Sequence, residues 1–208
     1  MFTPIQGIPL IAHTVELFES SPLIQEVILV LPQNKVEEGI SLSKERGWKK
    51  LAEICSGGKR RQDSVRCGLE RLSPCTWVVI HDGARPCMDT GILERGLIAV
   101  KETGAAVAGV PATETIKEVC SKGIVQSTLD RKKLWMVQTP QIFDYKLLVS
   151  AHATCQQAVT DDASMVEMLG HPVKMFMGIP NNLKVTTPGD LALVEAIMKR
   201  NNPMANPQ

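Results

Sequence analysis

Apolar and polar positions alternate in two periods along this chain of 208 residues, and the switches between periods mark its elements. Leu10–Phe18 places Ile11, Val15 and Phe18 on one helical face. "EVILVLP", Glu26 to Pro32, is a short apolar run closed by proline, the pattern of a strand buried on both faces. Residues 34–46 are polar with scattered apolar positions, which predicts a surface helix. "LAEIC", Leu51 to Cys55, is a weaker strand, and "SVRCGLERL", Ser64 to Leu72, puts Val65, Leu69 and Leu72 on one side of a helix. "TWVVIH", Thr76 to His81, reads as the next strand, residues 89–102 as a helix, and "AAVAGVP", Ala105 to Pro111, as another buried strand. This alternation predicts an α/β fold, a doubly wound, Rossmann-like, mostly parallel sheet.

The rhythm breaks after Pro111. "TIKEV", "GIVQSTL" and "LWMVQTP" are β-prone and have no helix between them, and "CSKG", Cys120 to Gly123, has the composition of a hairpin turn. Residues 113–137 are therefore expected to form an antiparallel β-arm inserted in the domain. Helical patterns return at 144–157, 161–169 and 188–199, with a strand, "VKMFMG", between the last two. The tail "NNPMANPQ" is expected to fray. A doubly wound domain normally opens with a central strand and a glycine-rich turn, yet nothing before Leu10 resembles that unit.

Composition narrows the class. The length suits one domain and allows a folded chain to bury roughly 70% of its unfolded surface, so neither a metal nor a disulfide is needed as a staple. Hydrophobic residues make up 44%, charged residues 22%, and the formal net charge is +1, which gives no support to general nucleic-acid binding. The six cysteines form no C-x-x-C pair and read as free thiols of a reducing, cytoplasmic compartment. The N-terminus lacks a basic region followed by an apolar core, so no signal peptide is expected, and no apolar run approaches the roughly 20 residues of a membrane span.

Ligands of open α/β sheets sit at the carboxyl ends of strands, so the loops there hold the candidates. In "SGGKRRQDS", Gly57 and Gly58 allow close backbone approach, Lys59, Arg60 and Arg61 add charge, and a helix begins nearby. This reads equally as an anion or nucleotide site and as a solvated charge run with a Ser/Asp N-cap. In "VVIHDGARP", Asp82 emerges from a buried strand, where a carboxylate can hold Mg²⁺, and Arg85 has a fork for phosphate. An internal Asp82–Arg85 pair is the other reading, and His81 is read as packed structure. "DRKKLWMVQTPQIF" carries three consecutive cations and then a Thr-Pro-Gln turn; "TDDAS" suits a helix start capped by Thr160; "NNLKVTTPGDL" brings Lys184 just before the last helix. No G-x-S-x-G, Walker or zinc spacing is present. The set favours transfer between phosphates.

In this order, "GGKRRQDSV", "HDGARP", "PATETIK", "LDRKKLWMVQTPQIF", "TDDAS" and "NNLKVTTPGDL" closely resemble the 2-C-methyl-D-erythritol 4-phosphate cytidylyltransferases, from Phe2 to about Lys199. The resemblance implies that a phosphate oxygen of methylerythritol phosphate attacks the α-phosphorus of CTP, with Mg²⁺ on the nucleotide phosphates. It implies a metal at Asp82, nucleotide contacts at Gly58, Ser64, Asp82 and Gly83, and catalytic cations at Arg85 and Lys184. Arg85, Thr115, Arg131, Thr139, Thr160 and Lys184 match positions around the methylerythritol phosphate. It further implies a homodimer with interlocked arms, in which Thr115 and Arg131 serve the second subunit's site. The family opens with a strand, an A-A-G-x-G-x-R-M loop and a lysine ahead of F-x-P-x-x-G; here that segment is "FTPIQG", Phe2 to Gly7, so the opening unit is expected to be missing. A cytidylyltransferase for a pentitol phosphate such as ribitol 5-phosphate is the related alternative, although those enzymes carry valine where Ala84 stands. A catalytically inactive dimeric remnant is the other alternative.

Overall fold

The computed structural model describes residues 1–89 and 91–201; the expected frayed tail beyond 201 lies outside them. The chain opens on a miniature hairpin, β1 (Pro4–Ile5) and β2 (Ile8–Pro9), whose turn residues Gln6 and Gly7 both have positive φ, 51° and 78°. Such turns match the twist of paired strands. The pattern elements follow: α1 (Leu10–Ser20), β3 (Val27–Leu31), α2 (Val36–Arg46), β4 (Leu51–Ser56), α3 (Arg61–Leu69), β5 (Trp77–Ile80), α4 (Gly91–Thr103) and β6 (Ala105–Pro111). Then come β7 (Lys117–Val119), β8 (Val125–Thr128), β9 (Trp135–Asp144), α5 (Tyr145–Thr154), α6 (Asp162–Met168), β10 (Lys174–Met177) and α7 (Pro188–Asn201).

Strand alternation builds three layers. In β6, Ala106 and Ala108 face α4, while Ala105 and Val107 face α5 and α6. Ile142 and Phe143 of β9 split in the same way, which is the period of two expected where both faces are covered. The result is an α/β fold, but its sheet is mixed. The order is β10–β6–β9–β5, with β10 parallel to β6 and β9 antiparallel to both neighbours; β3 and β4 form a separate parallel pair.

The third β-prone piece of the expected arm belongs to this sheet. Pro111 faces Trp135 and Gly109 faces Val137, so only β7 and β8 make the protruding hairpin. Its turn lies at Cys120–Gly123, where Gly123 takes a φ of 74°. The expected Thr-Pro-Gln turn is likewise inside β9. The ladder jumps there from Val107–Gln141 to Gly109–Val137, and residues 138–140 bulge out of register. A bulge tolerates the proline that a regular central strand would not.

Between β3 and β5 the layer is open. A cavity of about 950 Å³ runs along the edges of both strands, from Val27 to Val30 and from Trp77 to Asp82. Val15 and Phe18 of α1 and Val65 and Leu69 of α3 also line it. Among the described residues no strand pairs with either of these edges.

Candidate active site

The polypeptide leaving β5 is fixed before any side chain acts. The Asp82 amide donates to Thr139 Oγ1 in the β9 bulge (3.1 Å), and Thr14 Oγ1 of α1 donates to Gly83 O (2.9 Å). A Cβ on Gly83 would stand 2.6 Å from Ile11 Cδ1, so a larger residue here would have to push that side chain aside. The Arg85 amide closes the turn on Asp82 O (3.0 Å). His81 donates from Nε2 to Arg85 O (3.2 Å) and stacks obliquely on Phe18 at 5.1 Å. Burial pushes its pKa down to about 4, so the ring is neutral at pH 7 and packs as structure.

Onto this turn converge three cations. Arg61 Nε, from the first residue of α3, lies 3.2 Å from Asp82 Oδ1. Lys184 Nζ lies 2.9 Å and Arg85 Nε 3.7 Å from Oδ2. Lys184 arrives there because the Val185 amide donates to Ala84 O (2.9 Å). Arg85 is held from behind, its Nη1 donating to Asn182 O (2.6 Å), while its buried Nε has no hydrogen-bond partner. Burial alone would raise the Asp82 pKa, but Lys184 and Arg61 outweigh it and hold the carboxylate below its ordinary value. Burial lowers Arg85, opposed by Asp82. Three cations against Asp82 and the buried Asp162, which also pairs with Arg61, leave a net positive centre, suited to phosphate oxygens.

The glycine loop borders the same centre. A Cβ on Gly58 would meet Asp63 Cβ at 2.3 Å, and one on Gly57 would meet Ser64 Oγ at 2.4 Å. The loop therefore lies directly on the start of α3. Arg60 caps that helix and Asp63 closes the capping box, so the expected Ser/Asp cap is displaced by three residues. Ser64 Oγ bonds Arg60 O (3.2 Å) and half faces the cavity. Thr139 is buried beside Asp82. Thr160 is exposed and does not cap α6; Asp161 does, accepting from the Ser164 amide (3.1 Å). Thr115 and Arg131 are exposed at the base of the arm, where Arg131 Nη1 donates to Thr113 O (2.8 Å), and neither touches the Asp82 cluster. Cys87 sits half-buried just past Arg85, and burial pushes its thiol up to about 11.

Sequence reasoning missed Arg61, Asn182 and Asp162 as individual actors. Arg61 was one of three consecutive cations, and Asp162 one of two acids at a helix start; nothing local distinguished them. Among the described residues, no three His, Cys, Asp or Glu side chains cluster for a metal. Mg²⁺ is usually held by one or two carboxylates together with substrate phosphates. Asp82 therefore fits a divalent cation shared with a polyphosphate and does not fit a cage made of protein alone.

The family model for 2-C-methyl-D-erythritol 4-phosphate cytidylyltransferase (IspD) matches residues 1–200. The chain is 44% identical over 200 residues to the 2-C-methyl-D-erythritol 4-phosphate cytidylyltransferase of Dehalococcoides mccartyi strain 195, covering 96% of this chain and 88% of that protein. It is 43% identical to the enzyme of the same name from Syntrophus aciditrophicus, over 94% of this chain and 86% of that one. Among solved structures, the 2-C-methyl-D-erythritol 4-phosphate cytidylyltransferase of Thermus thermophilus superimposes with a TM-score of 0.81 at 33% identity, over 95% of this chain and 93% of that one. The 4-diphosphocytidyl-2C-methyl-D-erythritol synthase of Anaerococcus prevotii gives 0.87 at 25%, over 95% and 92%.

Proposed function

The chain belongs to the 2-C-methyl-D-erythritol 4-phosphate cytidylyltransferase family, and from this premise we propose that it transfers a cytidylyl group from CTP to 2-C-methyl-D-erythritol 4-phosphate, releasing pyrophosphate. The observation that carries the reading is the convergence of Arg61, Arg85 and Lys184 on Asp82 beside the glycine loop. A phosphate monoester is already an anionic nucleophile, so the protein's task is to bring two anions together and hold them in line. Arg85, anchored by Asn182, holds the attacking phosphate, and Lys184 moves from Asp82 to the nucleotide phosphates. The loop at Gly58 with Ser64 receives the cytidine, and Gly83 lets it lie against the backbone. Thr139 accepts from the Asp82 amide and keeps its hydroxyl proton for the methylerythritol phosphate, which Thr160 borders. Asp82 would hold Mg²⁺, which neutralises charge on the triphosphate. The test is pyrophosphate release from CTP, methylerythritol 4-phosphate and Mg²⁺, run beside ribitol 5-phosphate. Faster release with the pentitol phosphate would transfer the assignment to that substrate. Release with neither, both by this chain and by one extended with the family's opening strand and loop, would overturn the reading.

The described residues contain no helix long and apolar enough to cross a membrane. Six free thiols support a cytoplasmic setting. The arm supports a homodimer: Val119, Ile124 and Val125 expose apolar side chains on a two-stranded hairpin, which is not stable as an isolated unit. In that dimer Thr115 and Arg131 serve the second subunit's site. Sedimentation should give a dimer for the chain and a monomer for a double variant Ile124→Asp/Val125→Asp; equal masses would remove the arm from the interface. The open layer between β3 and β5 supports one further strand, carrying the glycine-rich loop, as the completion of this domain.

A further inference from the structure

We propose that Asp162 is a positioning residue of this site: acting through Arg61, it fixes which oxygen of Asp82 is presented to the ligand. The proposal rests on the cytidylyltransferase reading above and extends it to a residue beyond the cluster. Asp162 begins α6 and is fully buried. Its Oδ2 takes Arg61 Nη1 at 2.5 Å, and its Oδ1 takes His152 Nε2 at 3.0 Å. The same guanidinium reaches Asp82 Oδ1 through Nε at 3.2 Å. Arg61 therefore bridges two carboxylates, one sealed in the interior and one at the site.

The planar guanidinium makes that bridge directional, because fixing Nη1 also fixes the line along which Nε points. Asp82 then has two unequal oxygens. Oδ1 is tied to a guanidinium whose far end is buried, while Oδ2 is tied only to Lys184, whose side chain is 41% exposed, and loosely to Arg85. When phosphates draw Lys184 and Arg85 away, Oδ2 is freed and Oδ1 stays anchored. Burying a carboxylate is unfavourable unless its partners compensate, and an apolar pair usually serves stability as well. A directional role gives this buried charge a use at the site. Gln141 supports the arrangement from β9, donating to Asp161 Oδ2 (2.8 Å) and accepting from the Ala163 amide (3.2 Å), which holds the start of α6 in place.

Three variants test the chain: Asp162→Asn, Arg61→Lys and the double. Each single variant should lower kcat about 10- to 100-fold and raise the Mg²⁺ concentration needed for half-maximal rate, as loss of outer-shell support does. KM for CTP should change less than threefold. The double variant should match the worse single one, since both remove the same link. Independently of turnover, the Arg61 Nε–H resonance should be protected from solvent exchange in the parent chain and lose that protection in Asp162→Asn. Additive losses, or an unchanged Mg²⁺ requirement with normal kcat in a folded Arg61→Lys, would overturn the proposal, as would retained protection in Asp162→Asn. A parent chain without turnover even when extended by the family's opening strand and loop would instead overturn the cytidylyltransferase reading, and the resonance alone would then decide the link.

Discussion

Replacing Asp82 with alanine is expected to slow pyrophosphate release about a thousandfold, the scale seen when a preorganised charge is removed from a phosphoryl- or acyl-transfer site. The loss should fall on kcat. Without the carboxylate, Arg61, Arg85 and Lys184 remain as a more positive centre, so CTP should bind as well as before or better while the position proposed for the metal is lost. That split identifies an interaction made in the transition state. Stability should fall only modestly, because Arg61 keeps Asp162 and Lys184 is already well solvated. Asp82→Asn separates charge from shape: it should lose nearly as much rate with little change in melting temperature. An Asp82→Asn variant within tenfold of the parent chain would remove Asp82 from the mechanism.

The second large effect concerns the open layer. Strands rise about 3.3 Å per residue, stand about 4.8 Å apart and pack in layers about 10 Å deep, so each residue fills about 160 Å³. On that measure a cavity of about 950 Å³ holds about six residues of strand. The cavity is open to solvent, so either water or a strand fills it. Extending the chain by the family's opening strand and glycine-rich loop is expected to raise the melting temperature by more than about 10 °C and to slow amide exchange of Val27–Leu31 at least a hundredfold. It should also raise the rate of pyrophosphate release. Unchanged melting and exchange after the extension would show that the edges of β3 and β5 take no strand.

How much of this was legible before the structure depends on what each residue's role draws on. β3, β5 and β6 are continuous apolar runs because both faces are covered, and that pattern needs no tertiary information. β9 defied the reading because Thr139 and Pro140 look like a turn, and only the bulge against Val107–Gly109 lets a proline stand in a central strand. β1 and β2 are two residues each, too short for any period. Asp82, Arg85 and Lys184 were legible because each stands at the end of an apolar run or the start of a helix. Arg61 and Asp162 are 101 positions apart, and acidic or basic side chains at helix starts usually face water. Their pairing is decided by how α3 and α6 pack on one face of the sheet, which no local pattern encodes.

The half-buried Cys87 beside the site carries a practical consequence. With its thiol pushed up to about 11 by burial, only about one molecule in ten thousand bears the reactive thiolate at neutral pH. Alkylating reagents and mild oxidants are expected to react more slowly with this sulfur than with an ordinary exposed thiol while the fold is intact. Reaction at Cys87 thus becomes a clock for opening of the polypeptide around Asp82, and protection of that sulfur by CTP would register the nucleotide's grip on the loop without any turnover.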